Sequence, residues 1–361
     1  MLEEKVLGFI KENNLINDGD KIVLGVSGGP DSMTMLNILN NISVNEIINF
    51  QIVVCHINHM IREEAVLDEE YVCKFCNKNN IEFYSLRADV ETIAKNEKIG
   101  TEEAGRKVRY EFFEKVLDKT NSNKIATAHT ANDNAETVLM NIIRGSGISG
   151  LKGIEKIRDG KFIRPIIECS RDEIENYCKE NNLNPRIDKT NMENIYTRNK
   201  VRNLLIPYIQ ENFNPNLVQS LNRLSSLAQE QNEFVESKIK EAYEECLIEE
   251  KEESEIVLDL KKFNNKEKTI KSGVIIEVYK KLFGSSQGIE KIHINDIVKL
   301  CQNNIGNKFL IPNKKIKVYV NHGRVNFITQ NLQKKYWKYW TYVIVFNAYN
   351  CKYNQMKNLR R

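Results

Sequence analysis

Ser27, Gly28, Gly29, Pro30, Asp31 and Ser32 form a short string, SGGPDS, that gathers groups able to hold a phosphate. Two glycines let the backbone take positive φ and let a ligand approach closely. Pro30 suits the first position of a helix, where its missing N–H costs nothing. The free N–H groups of that helix start, together with the glycines, make a concave anion site. The lysine that G-x-x-x-x-G-K-[ST] demands is absent, and position 27 is Ser where G-x-G-x-x-G needs Gly. A turn between a strand and a helix would use similar residues, so the bare Gly-Gly is weak and the whole string is informative.

Three further blocks carry chemistry-bearing side chains. In ATAHTANDNAETVL, residues 126–139, Thr130 caps a helix and Asp133 completes a capping box three residues later. The same Asp133 could hold a magnesium ion or a substrate amine, and His129 is either a core histidine or a polar contact to a nucleotide. In GTEEAGRKVRYEFFEK, residues 100–115, Ala104, Val108 and Phe112 make a buried stripe. Arg106, Arg109 and Tyr110 share another face at helical spacing. Arginines there are usually solvated, but beside a triphosphate they would bind phosphate through paired N–H groups. In RIDKTNMENIYTRNKVRNLLIP, residues 186–207, Arg186, Lys189, Arg198, Lys200 and Arg202 with Tyr196 make a basic, aromatic-bearing patch suited to RNA.

The elements that must position these groups follow from the pattern of apolar residues. Lys21 to Val26 reads as a buried strand, with further strands near 50–57, 81–86 and 124–128. Helices are predicted near 63–79, 102–117 and 131–144. Alternation of this kind predicts an α/β fold with a doubly wound parallel sheet, whose ligands sit at the carboxyl ends of the strands. That edge collects 27–32, 56–62, Asp89 and 129–133. Past the glycine-rich joint Gly145 to Gly150, an extended stretch over 161–167 and a helix over 171–180 are expected. A long helical region over about 216–250 and a smaller α/β module over 251–330 complete the prediction. The domains read as 1–210, the α/β domain; 211–330, a smaller helical and α+β domain; and 331–361, an atypical tail.

The 361 residues are 41% hydrophobic and 28% charged, which fits a globular protein rather than a disordered one. A net charge of +4 neither requires nor excludes nucleic acid, so local patches decide. The acidic start, Met1-Leu-Glu-Glu-Lys, is not a signal peptide, and no apolar run is long enough to span a membrane. Eight cysteines without regular spacing suggest reduced thiols in a cytoplasm. The single C-x-x-C, Cys73 to Cys76, reads as helix thiols, because a zinc or iron–sulfur site wants four ligands.

SGGPDS resembles the pyrophosphate-binding loop of the N-type ATP pyrophosphatases. With CHINHMIREEAVLDEE (55–70), the Arg106–Tyr110 block, HTANDNAETVL and DKTNMENIYTRNKVRNLLIP (188–207), the first 210 or so residues resemble the tRNA(Ile)-lysidine synthetase family of bacteria. The resemblance implies ATP, Mg2+, L-lysine and an isoleucine tRNA with a CAU anticodon as cofactors and partners, and it leaves a homodimer open. It implies adenylation of the C2 carbonyl oxygen of the wobble cytidine, followed by displacement of AMP by the lysine ε-amine. Ser27 to Ser32 would bind ATP, Asp31 would bind the metal, and Arg106 would lie near the phosphates. His129 and Asp133 would lie near the reacting centre. The family's common His-His-x-Asp-Asp reads His129-Thr130-Ala131-Asn132-Asp133 here. NKFLIPNKKIKVYV, residues 307–320, weakly resembles the family's second domain, and the tail does not resemble its usual C-terminal domain. Other readings are a thiolase-type ATP pyrophosphatase acting on tRNA, for which paired metal-binding cysteines are expected, and a truncated, inactive remnant that binds ATP and tRNA.

Overall fold

The structure is a computed structural model that describes residues 1–330 apart from 46, 62–64, 187–196 and 304–308. Lys189, Tyr196 and the tail 331–361 lie outside the described residues. The chain divides into two compact units, the first beginning at Met1 and running through Leu227, the second beginning at Ala228.

In the first unit α1 (Leu2–Glu12) precedes β1 (Lys21–Gly25), whose Ile22, Val23 and Leu24 are wholly buried. The elements then alternate: α2 (Pro30–Val44), β2 (Gln51–Asn58), α3 (Ala65–Lys78), β3 (Glu82–Arg87), α4 (Val90–Glu97), α5 (Thr101–Thr120), β4 (Lys124–Thr127) and α6 (Ala131–Ile143). A short α7 (Ile148–Leu151), β5 (Ile157–Arg158), β6 (Phe162–Ile163) and α8 (Arg171–Glu180) follow. α9 (Thr197–Lys200) runs through a π-helical turn, Val201–Leu205, into α10 (Ile206–Asn212). The strand order is β3-β2-β1-β4-β6-β5, parallel throughout except for the antiparallel edge pair of β5 with β6. This is the doubly wound α/β sheet expected from the alternation.

Apolar contacts on both faces of this sheet explain why its strands read as continuous apolar runs. Met33, Leu36 and Leu39 of α2 join Leu24 and Val54 on one face. Phe112, Phe113 and Val116 of α5 join Val23, Val53 and Ile125 on the other. The last residue of β1 is glycine because a Cβ there would lie 2.3 Å from the Phe113 ring. The predicted extended stretch over 161–167 contains only a two-residue strand, although Arg164 N still donates to Lys156 O at 3.0 Å. Helix α4, which the sequence reading did not name, is capped by Asp89, whose carboxylate accepts from Thr92 N at 3.0 Å.

The helix α11 (Leu217–Cys246) includes the residue at which the second unit begins. It stops at Cys246, four residues short of the predicted end, because Leu247–Lys251 pairs as a strand, β7, with β8 (Glu255–Asp259). The five-stranded sheet of this unit, ordered β7-β8-β11-β10-β9, is antiparallel, with β9 (Phe309–Leu310), β10 (Ile316–Asn321) and β11 (Arg324–Thr329). Its core combines strand residues such as Leu258, Val318 and Phe327 with Phe263 of α12 (Leu260–Asn264), Tyr279 of α13 (Lys268–Phe283) and Ile297 of α14 (Lys291–Asn303). No helix among the described residues is long and apolar enough to cross a membrane.

Candidate active site

The loop after β1 is tied into a closed turn by one hydroxyl. Ser32 Oγ accepts from Ser27 N at 3.1 Å and Gly28 N at 3.2 Å, and donates to Gly29 O at 3.0 Å. That uses one donor and two acceptor positions, the full capacity of a hydroxyl. Ser32 therefore shapes the loop, while Gly29 caps α2 and Pro30 starts it. Gly28 sits at φ +91 with Asp68 of α3 behind it, where a Cβ would lie 3.5 Å from the Asp68 Cβ. Gly28→Ala should cost about 1–2 kcal/mol of stability, because an L side chain is strained at positive φ. It should also weaken ATP binding, and a thermal melt and an ATP titration would check both. A Gly28→Ala protein with unchanged melting and ATP affinity would show that the loop does not need this backbone shape.

Opposite the loop, at the start of α6, lies a four-membered charge network. Asp133 Oδ1 accepts from Arg198 Nη2 at 3.1 Å and Arg202 Nη2 at 3.0 Å. Glu136 Oε2 accepts from Arg198 Nε at 2.8 Å and Arg202 Nη2 at 2.9 Å, and Arg202 Nε reaches Oε1. The other oxygen of Asp133 accepts from Thr130 N at 3.0 Å, so the predicted capping box is present and leaves Oδ1 to the arginines. The spacing makes this network: Asp133 and Glu136 are i, i+3 on α6, while Arg198 and Arg202 are four apart across the turn from α9 into the π-helical segment.

Asp31 differs from these acids. Among the described residues it has no ion pair, and burial together with the nearby Asp133 pushes its carboxyl up to about 6. Burial alone would raise Asp133 too, but Arg198 and Arg202 hold it below the usual carboxylate range. His129 follows β4, with Nδ1 3.0 Å from Thr127 Oγ1. Burial, reinforced by Arg164, Arg198 and Arg109, keeps its imidazole neutral despite the pull of Asp133. His59, just past β2, is likewise pushed down to about 4, by burial, Arg109 and His56, and its Nδ1 has no hydrogen-bond partner.

The sequence-predicted residues thus divide. Asp31, His129 and Asp133 come together at the carboxyl edge of β1 and β4, and the predicted loop is where they meet. Arg106 lies on α5 with its guanidinium 5.2 Å from the centre of the Tyr110 ring. Arg109 is open to solvent but crowded by protein, as a side chain in a cleft would be. The basic stretch does not present an open cationic face. Arg186 pairs with Asp68 at 2.7 Å, and its N–H donates to Gly28 O at 3.1 Å; Arg198 and Arg202 turn inward to the acids. Only Lys200 of the described set is exposed and without an ion pair. Glu136 was missed, although its position one turn after Asp133 placed it on the same helix face. Arg158 and Arg164 were also missed, because a two-residue strand gives no periodic signal.

These features define a PP-loop ATP-binding protein, and the PP-loop domain family model matches residues 1–209. Over 323 residues the chain is 46% identical to a tRNA(Ile)-lysidine synthase of Clostridium tetani, covering 89% of this chain and 68% of that protein. A tRNA(Ile)-lysidine synthase of Clostridioides difficile is 44% identical over 320 residues, 88% of this chain and 69% of the relative. The chain belongs to the tRNA(Ile)-lysidine synthase family. Among solved structures, a U34-tRNA thiolase of Methanococcus maripaludis with its [4Fe-4S] cluster superposes with a TM-score of 0.53 at 22% identity, covering 63% of this chain and 78% of that one. That likeness concerns the fold alone.

Proposed function

We propose that this chain ligates L-lysine to C2 of the wobble cytidine of an isoleucine tRNA with a CAU anticodon, at the expense of ATP. The observation that carries the reading is a phosphate loop facing a neutral histidine and a buried acid pair, in a chain of this family. In the first step the cytidine O2 attacks the α-phosphorus of ATP; the bond to the β-phosphate oxygen breaks and pyrophosphate leaves. In the second, the lysine ε-amine attacks C2 and the C2–O bond breaks, releasing AMP. The amine attacks in its neutral form, so its proton leaves to water or to a carboxylate of the site.

The residues take the following parts. The Ser27–Ser32 turn, closed by Ser32 Oγ, leaves the polyphosphate to the N–H groups at the start of α2. Asp31 fits Mg2+: it is a buried carboxylate without an ion pair among the described residues, and burial with the nearby Asp133 disfavours its charged form more than Arg202 and Arg171 favour it, so a bound cation would be welcome there. A metal there would neutralise phosphate charge. Arg106 lies on the helix that borders the cleft and is available to a phosphate oxygen. His129, neutral at physiological pH, offers a hydrogen bond to the base without adding charge. Asp133 and Glu136 supply the negative charge that an ammonium seeks. When a triphosphate gives Arg198 and Arg202 another partner, Asp133 becomes free to take that ammonium. Lys200 and Lys189 remain proposed contacts to RNA phosphates. The seven cysteines among the described residues are free thiols, which supports the proposed cytoplasmic location, and a homodimer is part of the same proposal.

The test is mass spectrometry of nucleosides from that tRNA after incubation with protein, ATP, Mg2+ and lysine. The expected product is cytidine heavier by one lysine less one water, with AMP and pyrophosphate formed in equal amounts. ADP with phosphate, or an unmodified cytidine, would overturn the reading.

A further inference from the structure

A second charged cluster lies beside His129, and it lacks the acids that neutralise Arg198 and Arg202. Its centre is Tyr110 of α5. The guanidinium of Arg158 lies over the Tyr110 ring at 4.7 Å and over the Phe162 ring at 4.3 Å, and that of Arg106 lies over Tyr110 at 5.2 Å. Tyr110 and Phe162 meet edge to face, with ring centres 5.2 Å apart, so β6 and α5 fix the platform. Arg164 follows β6 and is 96% buried, at 4% exposure. Its Nη1 donates to the Glu155 carbonyl, yet its Nε has no partner and it makes no ion pair among the described residues. Arg106 and Arg109 also make none, and Arg158 pairs only with Asp159, itself 66% exposed. A guanidinium removed from water without a carboxylate is costly unless an anion arrives.

We propose that Arg158, set on the Tyr110–Phe162 platform, and the buried Arg164 near it form a phosphate subsite that takes a backbone phosphodiester of the substrate RNA. This rests on the proposed reaction and names where its RNA is gripped. Arg164 and Arg109 are among the charges that act on His129. The charges acting most on Asp31 are instead Asp133, Arg202, Arg171 and Glu136. The cluster therefore lies within electrostatic reach of His129, the histidine proposed to contact the base. The cations also pull the Tyr110 phenol below its usual value, against the effect of burial, and Glu155 is the acid that acts on Arg164. Stacked arginines are held in a fixed plane, which suits the two-pronged contact that a phosphodiester makes.

The experiment measures binding of unmodified isoleucine tRNA to the full chain over a range of salt, beside binding of a non-hydrolysable ATP analogue. Arg158→Gln should weaken tRNA binding about tenfold near 0.1 M salt and lower the salt slope by about one, as removal of one phosphate contact does. Arg158→Lys should restore part of both, and the analogue should bind as before. Arg164→Gln should weaken tRNA binding without lowering the melting temperature, because it removes a buried charge that has no ion pair among the described residues while keeping an amide donor; a merely structural Arg164 would lower it. Unchanged tRNA affinity and slope in both Gln variants overturn the proposal. Loss of analogue binding with tRNA binding intact also overturns it, by assigning the cations to ATP. Lysidine formation by the unaltered chain, measured alongside, reads the proposed reaction separately, so its absence would leave the tRNA-binding result for the subsite standing.

Discussion

Asp31→Asn is expected to abolish pyrophosphate release and at the same time to raise the melting temperature of the ligand-free protein. Both effects come from one cause. Crowding by Asp133 and Glu136, added to burial, lifts the carboxyl from its ordinary 3.8 to about 6. A carboxyl with a raised pKa in the folded state is more easily protonated there than in the unfolded chain. Stability is therefore complete below pH about 4, falls as pH rises through about 6, and stays reduced above it. Two units correspond to about 3 kcal/mol, an upper value for a side chain that retains some contact with water. Asparagine removes the charge at nearly constant shape, so the variant should melt higher at pH 8 and match the parent near pH 4. Catalysis depends on the opposite form. The ionised carboxylate is what Mg2+ with ATP would recruit, so turnover of the parent should fall as pH drops below about 6. Melting curves at the two pH values, with a pyrophosphate release assay, check the prediction. An asparagine variant that still releases pyrophosphate would remove Asp31 from the chemistry.

Glu136→Ala should give the largest loss of stability of any single change at the site. The Glu136 side chain is 2% exposed and receives contacts from both Arg198 and Arg202. Without it, two partly buried guanidinium groups share one oxygen of Asp133. Breaking a buried ion network by removing one partner costs about 3–5 kcal/mol, because the other charge is left uncompensated. Urea unfolding should show a lower midpoint with little change in slope. Glu136→Gln, which keeps an acceptor and loses the charge, should fall between parent and alanine. If Glu136→Ala unfolds at the parent's urea concentration, the arginines have relaxed into water and the network does not hold the π-helical turn in place.

The residues of the loop could be read directly because each acts locally. Pro30 starts the helix, Gly28 takes the positive φ, and Ser32 reaches back only four or five residues to close the turn. The same holds for Thr130 with Asp133 at the head of α6, and for the alternation of apolar strands and helices that produced the parallel sheet. Periodicity and capping are properties of short stretches, so the sequence by itself determined these features, including which strand ends would gather at one edge.

Only the tertiary structure decided how the arginines are shared. Arg198 and Arg202 read in sequence as cations available to RNA, yet their partners, Asp133 and Glu136, lie more than sixty residues earlier and meet them only after the chain folds back onto α6. Arg186, read the same way, is claimed by Asp68 and the loop backbone. Arg158 belongs to a strand of two residues and Arg164 follows another, both too short to leave a periodic trace, and Arg158 gains meaning from the rings of Tyr110 and Phe162 beneath it. Charge in a sequence is a count, whereas the energy of a charge depends on the distance to its partner and on the water excluded around it. Those two quantities are fixed by packing, and packing here pairs the arginines that the sequence offered to RNA while leaving Arg164, which it did not single out, buried without an ion pair among the described residues.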